Sequence, residues 1–380
     1  MNTLKNISLL AALSFTAVCA RADEAGTTLV ITSPTTLQVF QRTAQDQADV
    51  IIQGTLSGPA DAVEAKAELV EGATRGKETE WVLIAGKEHL ASGEFSGKLS
   101  LQAGGWYKIT VRAQKGAQVV AKTTIDQTGV GEVFVTAGQS NSANFGTPKQ
   151  KAQDDRVVYF DGKSYLPAHD PIPGGCGGGG SPWSILGDLI ARSEGVPVCF
   201  RSASLTWTEV KSWLPPDTGL YKNLVKCVKP FGTHGVRAVL WHQGESDTLV
   251  DTSAATYCER LQTIIETLGR DCGYPLPWFV AQASFHPGSQ APQQNQVAQG
   301  QQMAWEKKVA FEGPVTDDLL GEKYRSDGVH FNPAGLIAHA ERWFGAFEKQ
   351  YGWTAAHPNH NSSVRLWQIE KGPLTGLSLQ

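Results

Sequence analysis

From Gly131 onward, compact apolar runs alternate with helical stripes, and this alternation restricts the architecture more than any other feature of the chain. The runs are Glu132 to Ala137, Val196 to Arg201, Ala238 to His242 and Trp278 to Gln282. Each is continuous, as expected of a strand covered on both faces in a parallel sheet. Helices are predicted over Trp183 to Ser193, Tyr221 to Lys229, Ala255 to Leu268, Gln296 to Lys308 and Pro333 to Tyr351. In the third, Tyr257, Leu261, Ile264, Ile265 and Leu268 share one stripe; in the last, Leu336, Ala340, Trp343, Phe344 and Phe347 do. Strand, loop and helix in this order predict a three-layer α/β domain.

The preceding residues, 23 to 128, have a different rhythm. Short runs such as Leu29-Val30-Ile31, Val50-Ile51-Ile52 and Tyr107-Lys108-Ile109-Thr110-Val111 are separated by Gly, Pro, Ser and Asp at intervals that suit antiparallel strands. They predict a small β-sandwich of the immunoglobulin-like type. Ala62 to Glu71 reads equally well as strand or helix, and Asp126-Gln127-Thr128-Gly129 reads as a linker. The α/β unit is therefore expected over 129–355, with a C-terminal extension over 356–380.

Lys5, an apolar run from Ile7 to Val18 and the small residues before Asp23 have the three-part form of a secretory signal peptide spanning 1–22. The protein is expected to be secreted or periplasmic, with no membrane attachment after cleavage. Losing the two cations Lys5 and Arg21 takes the formal charge from -4 to -6, which argues against nucleic acid or an anionic surface as partner. Export permits disulfides among Cys176, Cys199, Cys227, Cys258 and Cys272, whose spacings fit no zinc pattern. Oligomeric state leaves no mark on the sequence.

Ligands gather beyond the carboxyl ends of strands in open α/β sheets. Polar groups fall at such ends: Gly138-Gln139-Ser140-Asn141, Thr206 to Trp213, His242 to Asp247 and Gln282 to His286. Ser140 follows a buried strand and a tight turn, which suits an exposed nucleophile. Asp327-Gly328-Val329-His330 precedes the last helix, where His330 suits a general base and Asp327 can accept its second ring N–H. Asn332 before Pro333 is explained as a helix cap, which leaves Asp327 and His330 unaccounted for. The oxyanion donors expected are the Ser140 N–H, a backbone N–H of the glycine-rich loop and the Gln243 amide. Gly174 to Gly180 lacks the Lys-Ser or Lys-Thr of a phosphate loop and reads as a flexible loop beside the site. His242, Glu245 and Asp247 are too closely spaced on an extended strand end to face one metal ion.

Gly138-Gln139-Ser140-Asn141, Trp241-His242-Gln243-Gly244-Glu245-Ser246-Asp247 and Asp327-Gly328-Val329-His330 together resemble the SGNH hydrolases, in the branch of sialate O-acetylesterases and acetylxylan esterases. The resemblance covers residues 131 to about 350. It implies a flavodoxin-like five-stranded parallel sheet and removal of acetyl groups from carbohydrate hydroxyls without metal or cofactor. Ser140 would be nucleophile, His330 base and Asp327 its orienter, with Gly180 and Gln243 completing the oxyanion site. Gln139, Asn141, Trp213, Glu245 and His286 are the substrate-binding candidates. Ser142 stands where the family often has methionine. Of the loop tryptophans Trp183, Trp207 and Trp213, which suit stacking on sugars, Trp213 is preferred because it follows the second strand end. The competing readings are a glycan-binding protein with a vestigial site, and an esterase of lipid or peptidoglycan acyl groups.

Overall fold

The computed structural model describes residues 26–216 and 218–354, together with the backbone of 21–22. Most of the expected signal sequence and the 356–380 extension lie outside the described residues. Strands in chain order are β1 (Arg21–Ala22), β2 (Thr28–Ser33), β3 (Gln38–Gln41), β4 (Gln47–Ser57), β5 (Ala62–Leu69), β6 (Val82–Gly86), β7 (Glu94–Gln102), β8 (Tyr107–Lys115) and β9 (Gln118–Gly138). There follow β10 (Val157–Phe160), β11 (Tyr165–Pro167), β12 (Val198–Ser202), β13 (Ala238–His242), β14 (Trp278–Gln282) and β15 (Phe311–Val315). The helices are α1 (Trp183–Glu194), α2 (Gly219–Val228), α3 (Ala254–Cys272), α4 (Ala291–Glu306) and α5 (Pro333–Tyr351).

The large sheet runs β11-β10-β12-β9-β13-β14-β15. All neighbours from β10 to β15 pair in parallel, and only β11 is antiparallel. Val133, Val135 and Ala137 on one face of β9 pack in a core with Leu224 of α2, Leu261 of α3 and Val297 of α4. Phe134 on the opposite face joins Leu186 of α1 and Trp343 and Phe347 of α5. Burying both faces is what makes these strands continuously apolar. The register sets Ser202 opposite Thr136 and His242 opposite Gly138, so the carboxyl ends of β12, β9 and β13 lie side by side.

Two sequence readings are corrected. Asp126 to Gly129 is no linker: it lies inside β9, a strand of 21 residues that pairs with β8 in its first half and with β12 and β13 in its second. Its glycine signal has another cause, since a Cβ on Gly129 would sit 2.8 Å from the Pro197 side chain and 2.9 Å from the Trp106 ring. The disulfides that export would permit are not formed, because all five described cysteines are free thiols. Ala62 to Leu69 is strand. Over β2 to β8, a three-stranded sheet β2-β4-β7 shares a buried core with β5, β8 and β9.

Candidate active site

Gly138 ends β9 at φ +132°, and a Cβ there would lie 2.0 Å from the His242 carbonyl oxygen, so glycine alone fits this close approach. The Gln139 N–H then donates to that carbonyl at 3.0 Å, and the chain turns through a 3-10 segment over Ser140–Ser142. The N–H groups of Ser142 and Ala143 close the turn on Gln139 and Ser140 carbonyls. The Ser140 N–H has no protein acceptor among the described residues, as expected at the start of a helical turn.

The loop before α5 forms the second half of the site. Asp327 Oδ1 accepts the N–H groups of Val329 at 2.8 Å and His330 at 2.6 Å, while Oδ2 lies 2.7 Å from His330 Nδ1. Burial opposes ionisation of Asp327, but the His330 N–H, its ring and the Val329 N–H outweigh it and hold the carboxyl below the ordinary aspartate range. A carboxylate acceptor puts the ring proton on Nδ1 and leaves the Nε2 lone pair for proton abstraction. Phe145 stacks against the His330 ring at 5.2 Å. Asn332 caps α5 through the Gly335 N–H at 3.0 Å, so the loop that holds Asp327 and His330 also starts the helix.

The two halves meet at the Val329 carbonyl. It accepts from Asn141 Nδ2 at 3.3 Å and from the buried Arg325 guanidinium, which also donates to the Leu319 carbonyl at 2.7 Å. Asn141 Nδ2 donates as well to Glu245 Oε1 at 3.1 Å, and His242 Nε2 approaches the same oxygen at 3.4 Å. Burial works against ionisation of Glu245, yet His242 and the Asn141 amide hold its carboxyl below the ordinary glutamate range. Among the described residues no hydrogen bond joins Ser140 Oγ to His330.

Several residues chosen from the sequence are braces rather than contact groups. Gln243 is fully buried, and its Nε2 is turned to the Thr208 carbonyl at 2.8 Å and Asp247 Oδ2 at 2.7 Å, which uses both protons; it does not point an amide at an oxyanion. The Gly180 N–H is taken by the Gly146 carbonyl at 2.6 Å. Gln139 Oε1 is occupied by the N–H groups of Ser246 at 3.1 Å and Gly244 at 3.4 Å. Asn141 and Glu245 are buried against each other, and Trp213 is fully buried edge-on to Trp241, with Nε1 donating to Thr208 Oγ1 at 3.1 Å. These four do not reach a substrate through their bound atoms. Trp183 is also buried and donates to the Ser142 carbonyl at 2.9 Å.

The glycine-rich loop read as flexible is clamped. Asn144 Nδ2 donates to the Ile172 and Gly175 carbonyls at 3.1 and 2.9 Å, and Asp170 accepts both the N–H and Oγ–H of Ser181 at 2.7 Å. Neither clamp has a spacing rule that sequence reading could apply. His286 is half-buried at the end of β14, and Trp207 is the exposed tryptophan of the set.

A family model described as carbohydrate esterase, sialic acid-specific acetylesterase, matches residues 130–349. A solved carbohydrate acetylesterase from Xanthomonas citri is 19% identical, with 84% of this chain and 74% of that chain covered at a TM-score of 0.55. A protein of Arabidopsis thaliana is 19% identical over 59% of this chain and 99% of its own, at a TM-score of 0.46. A lipase/acylhydrolase from Enterococcus faecalis is 16% identical over 60% and 99%, at 0.37. No protein of curated function matches the sequence.

Proposed function

The chain belongs to the carbohydrate esterase family of sialic acid-specific acetylesterases and is a carboxylic ester hydrolase; on that premise we propose that it removes O-acetyl groups from glycans with Ser140 as nucleophile. The observation that carries this reading is the 2.7 Å pair of His330 Nδ1 and Asp327 Oδ2, tied through the Val329 carbonyl to the turn that holds Ser140.

In the proposed reaction, substrate binding brings Ser140 Oγ and His330 Nε2 into hydrogen-bond reach, a contact that tightens in complexes of such enzymes. His330 takes the Ser140 proton as Oγ attacks the acetyl carbonyl, and Asp327 stabilises the resulting imidazolium. The Ser140 N–H and a backbone N–H of the glycine-rich loop stabilise the oxyanion. His330 returns its proton to the sugar oxygen, and the alcohol leaves. Water, deprotonated by His330, then releases acetate and restores Ser140.

We assign the substrate to acetylated xylan, pectin or sialic acid and the site of action to the exported space, the latter from the signal-like N-terminus. We read 23–128 as an immunoglobulin-like β-sandwich and 129–355 as a flavodoxin-like three-layer SGNH domain. Support comes from the order β12-β9-β13-β14-β15, a doubly wound arrangement with β10 and β11 added at one edge. Acetate release from acetylated xylan, acetylated pectin and O-acetyl sialic acid tests the proposal. Release from at least one is expected; binding to all without release would favour a vestigial site, and turnover confined to lipid or peptidoglycan esters would replace the substrate class.

A further inference from the structure

Trp207 is 69% exposed and sits at φ +56°, a left-handed conformation that bulky residues rarely adopt. Such strain persists only where the surroundings enforce it, and it concentrates at ligand clamps. Here the surroundings are specific. The Leu205 N–H donates to the Gly138 carbonyl at 2.9 Å, two residues before Ser140. The Thr206 N–H points at Cys176 Sγ at 3.0 Å, which ties the segment to the glycine-rich loop. On the other side Thr208 Oγ1 donates to the Leu205 carbonyl at 2.9 Å, and the Thr208 carbonyl accepts Gln243 Nε2 at 2.8 Å. The buried amide of Gln243 therefore helps hold the loop that presents Trp207.

The exposed indole meets the His286 ring edge-on at 5.9 Å and 60°. His286 Nδ1 accepts the Gly288 N–H at 3.0 Å, so in the neutral ring Nε2 carries the proton and is a fixed donor. Burial lowers the His286 pKa; the Glu245 charge opposes this and His330 adds to it. A flat amphipathic face beside a single oriented donor matches the chemistry of a pyranose, whose axial C–H faces are apolar and whose rim carries hydroxyls.

Resting on the esterase reading, we propose that Trp207 and His286 form the sugar subsite, with the ring that bears the acetyl group, or its neighbour, stacked on Trp207 and a ring hydroxyl accepting from His286 Nε2.

The test uses the full chain with acetylated xylo-oligosaccharides, acetylated galacturonan oligosaccharides and O-acetyl sialic acid as glycan probes, and 4-nitrophenyl acetate as a substrate without a sugar. Trp207→Ala is expected to raise KM for the glycan that is hydrolysed by about tenfold more than for 4-nitrophenyl acetate, with most of the loss recovered in Trp207→Phe. In a Ser140→Ala background the same change should weaken the Kd for that glycan by a similar factor. An equal change on glycan and 4-nitrophenyl acetate, or an unaltered Kd, overturns the subsite. Acetate release undiminished in Ser140→Ala would instead overturn the proposed reading of Ser140 as nucleophile, whatever Trp207 does.

Discussion

Asp327 is the residue whose role the structure sharpens most. Its side chain is 54% exposed, yet three donors from Val329 and His330 converge on it. Because those donors depress its pKa, the carboxylate persists at pH values below the ordinary aspartate range and is lost only further down. Protonation of Asp327 should therefore not produce an acid limb of the kcat/KM profile at or above the ordinary aspartate range. Asp327→Asn should lower kcat on the order of 10⁴-fold by favouring the wrong His330 tautomer, while leaving a folded protein. A loss below tenfold in steady-state kinetics would remove Asp327 from the mechanism. The pairing of Asp327 with His330 was legible because the two stand three residues apart in one loop, and the placing of Ser140 beside His242 because strand ends converge in a parallel sheet. Gln243, Gly180 and Trp213 misled because the partner of an amide or indole is set by folding, and no spacing encodes it.

At the scale of elements, the helices and the four long apolar strands were readable from periodicity. β10 and β11 were not, being only four and three residues long. β15 was hidden by the glycine and proline within Phe311–Val315, signals of a turn that an edge strand tolerates. Within α5, His339 shows what the stripe of apolar residues conceals. It is fully buried, accepts Trp343 Nε1 at 2.9 Å and lies against His242 with ring centroids 4.6 Å apart. Burial, with His242, Arg325 and Arg342 adding their charge, holds its pKa well below 6.5. The folded protein thus refuses a proton that the unfolded chain accepts, so its contribution to stability is present above about pH 6.5 and drains away as pH falls, by up to about 1.4 kcal/mol per unit. Urea unfolding at pH 7.5 and 5.5 should show a smaller acid loss for His339→Leu than for the parent; an identical loss would contradict this.

Across the whole molecule, the strand region and the α/β region are joined rather than linked. β9 belongs to both, and at its middle Glu132, fully buried, receives Arg42 Nε at 2.6 Å and Arg237 Nε at 2.6 Å. Arg42 also reaches Glu194 at the end of α1 at 2.7 Å and Asp46 at 2.8 Å, and Arg75 bonds Asp46 in turn. Desolvation works against the Arg42 charge, but Glu132 and the other carboxylates raise its pKa beyond the ordinary value. Glu132→Ala would remove the carboxylate shared by buried Arg42 and half-buried Arg237, leaving Arg42 only Glu194 and Asp46, and should cost about 3 kcal/mol, read as a lowered urea midpoint. A cost under about 1 kcal/mol would mean that water replaces the network. None of this was legible, since Arg42, Glu132, Glu194 and Arg237 are far apart in sequence and unite only through the fold.

The account as a whole depends on Ser140. Initial rates of acetate release and of 4-nitrophenyl acetate hydrolysis by the parent and Ser140→Ala, with matched unfolding curves, measure that dependence directly. A fall on the order of 10⁴-fold or more in kcat with stability retained is the predicted result. Comparable turnover by the two proteins would contradict it.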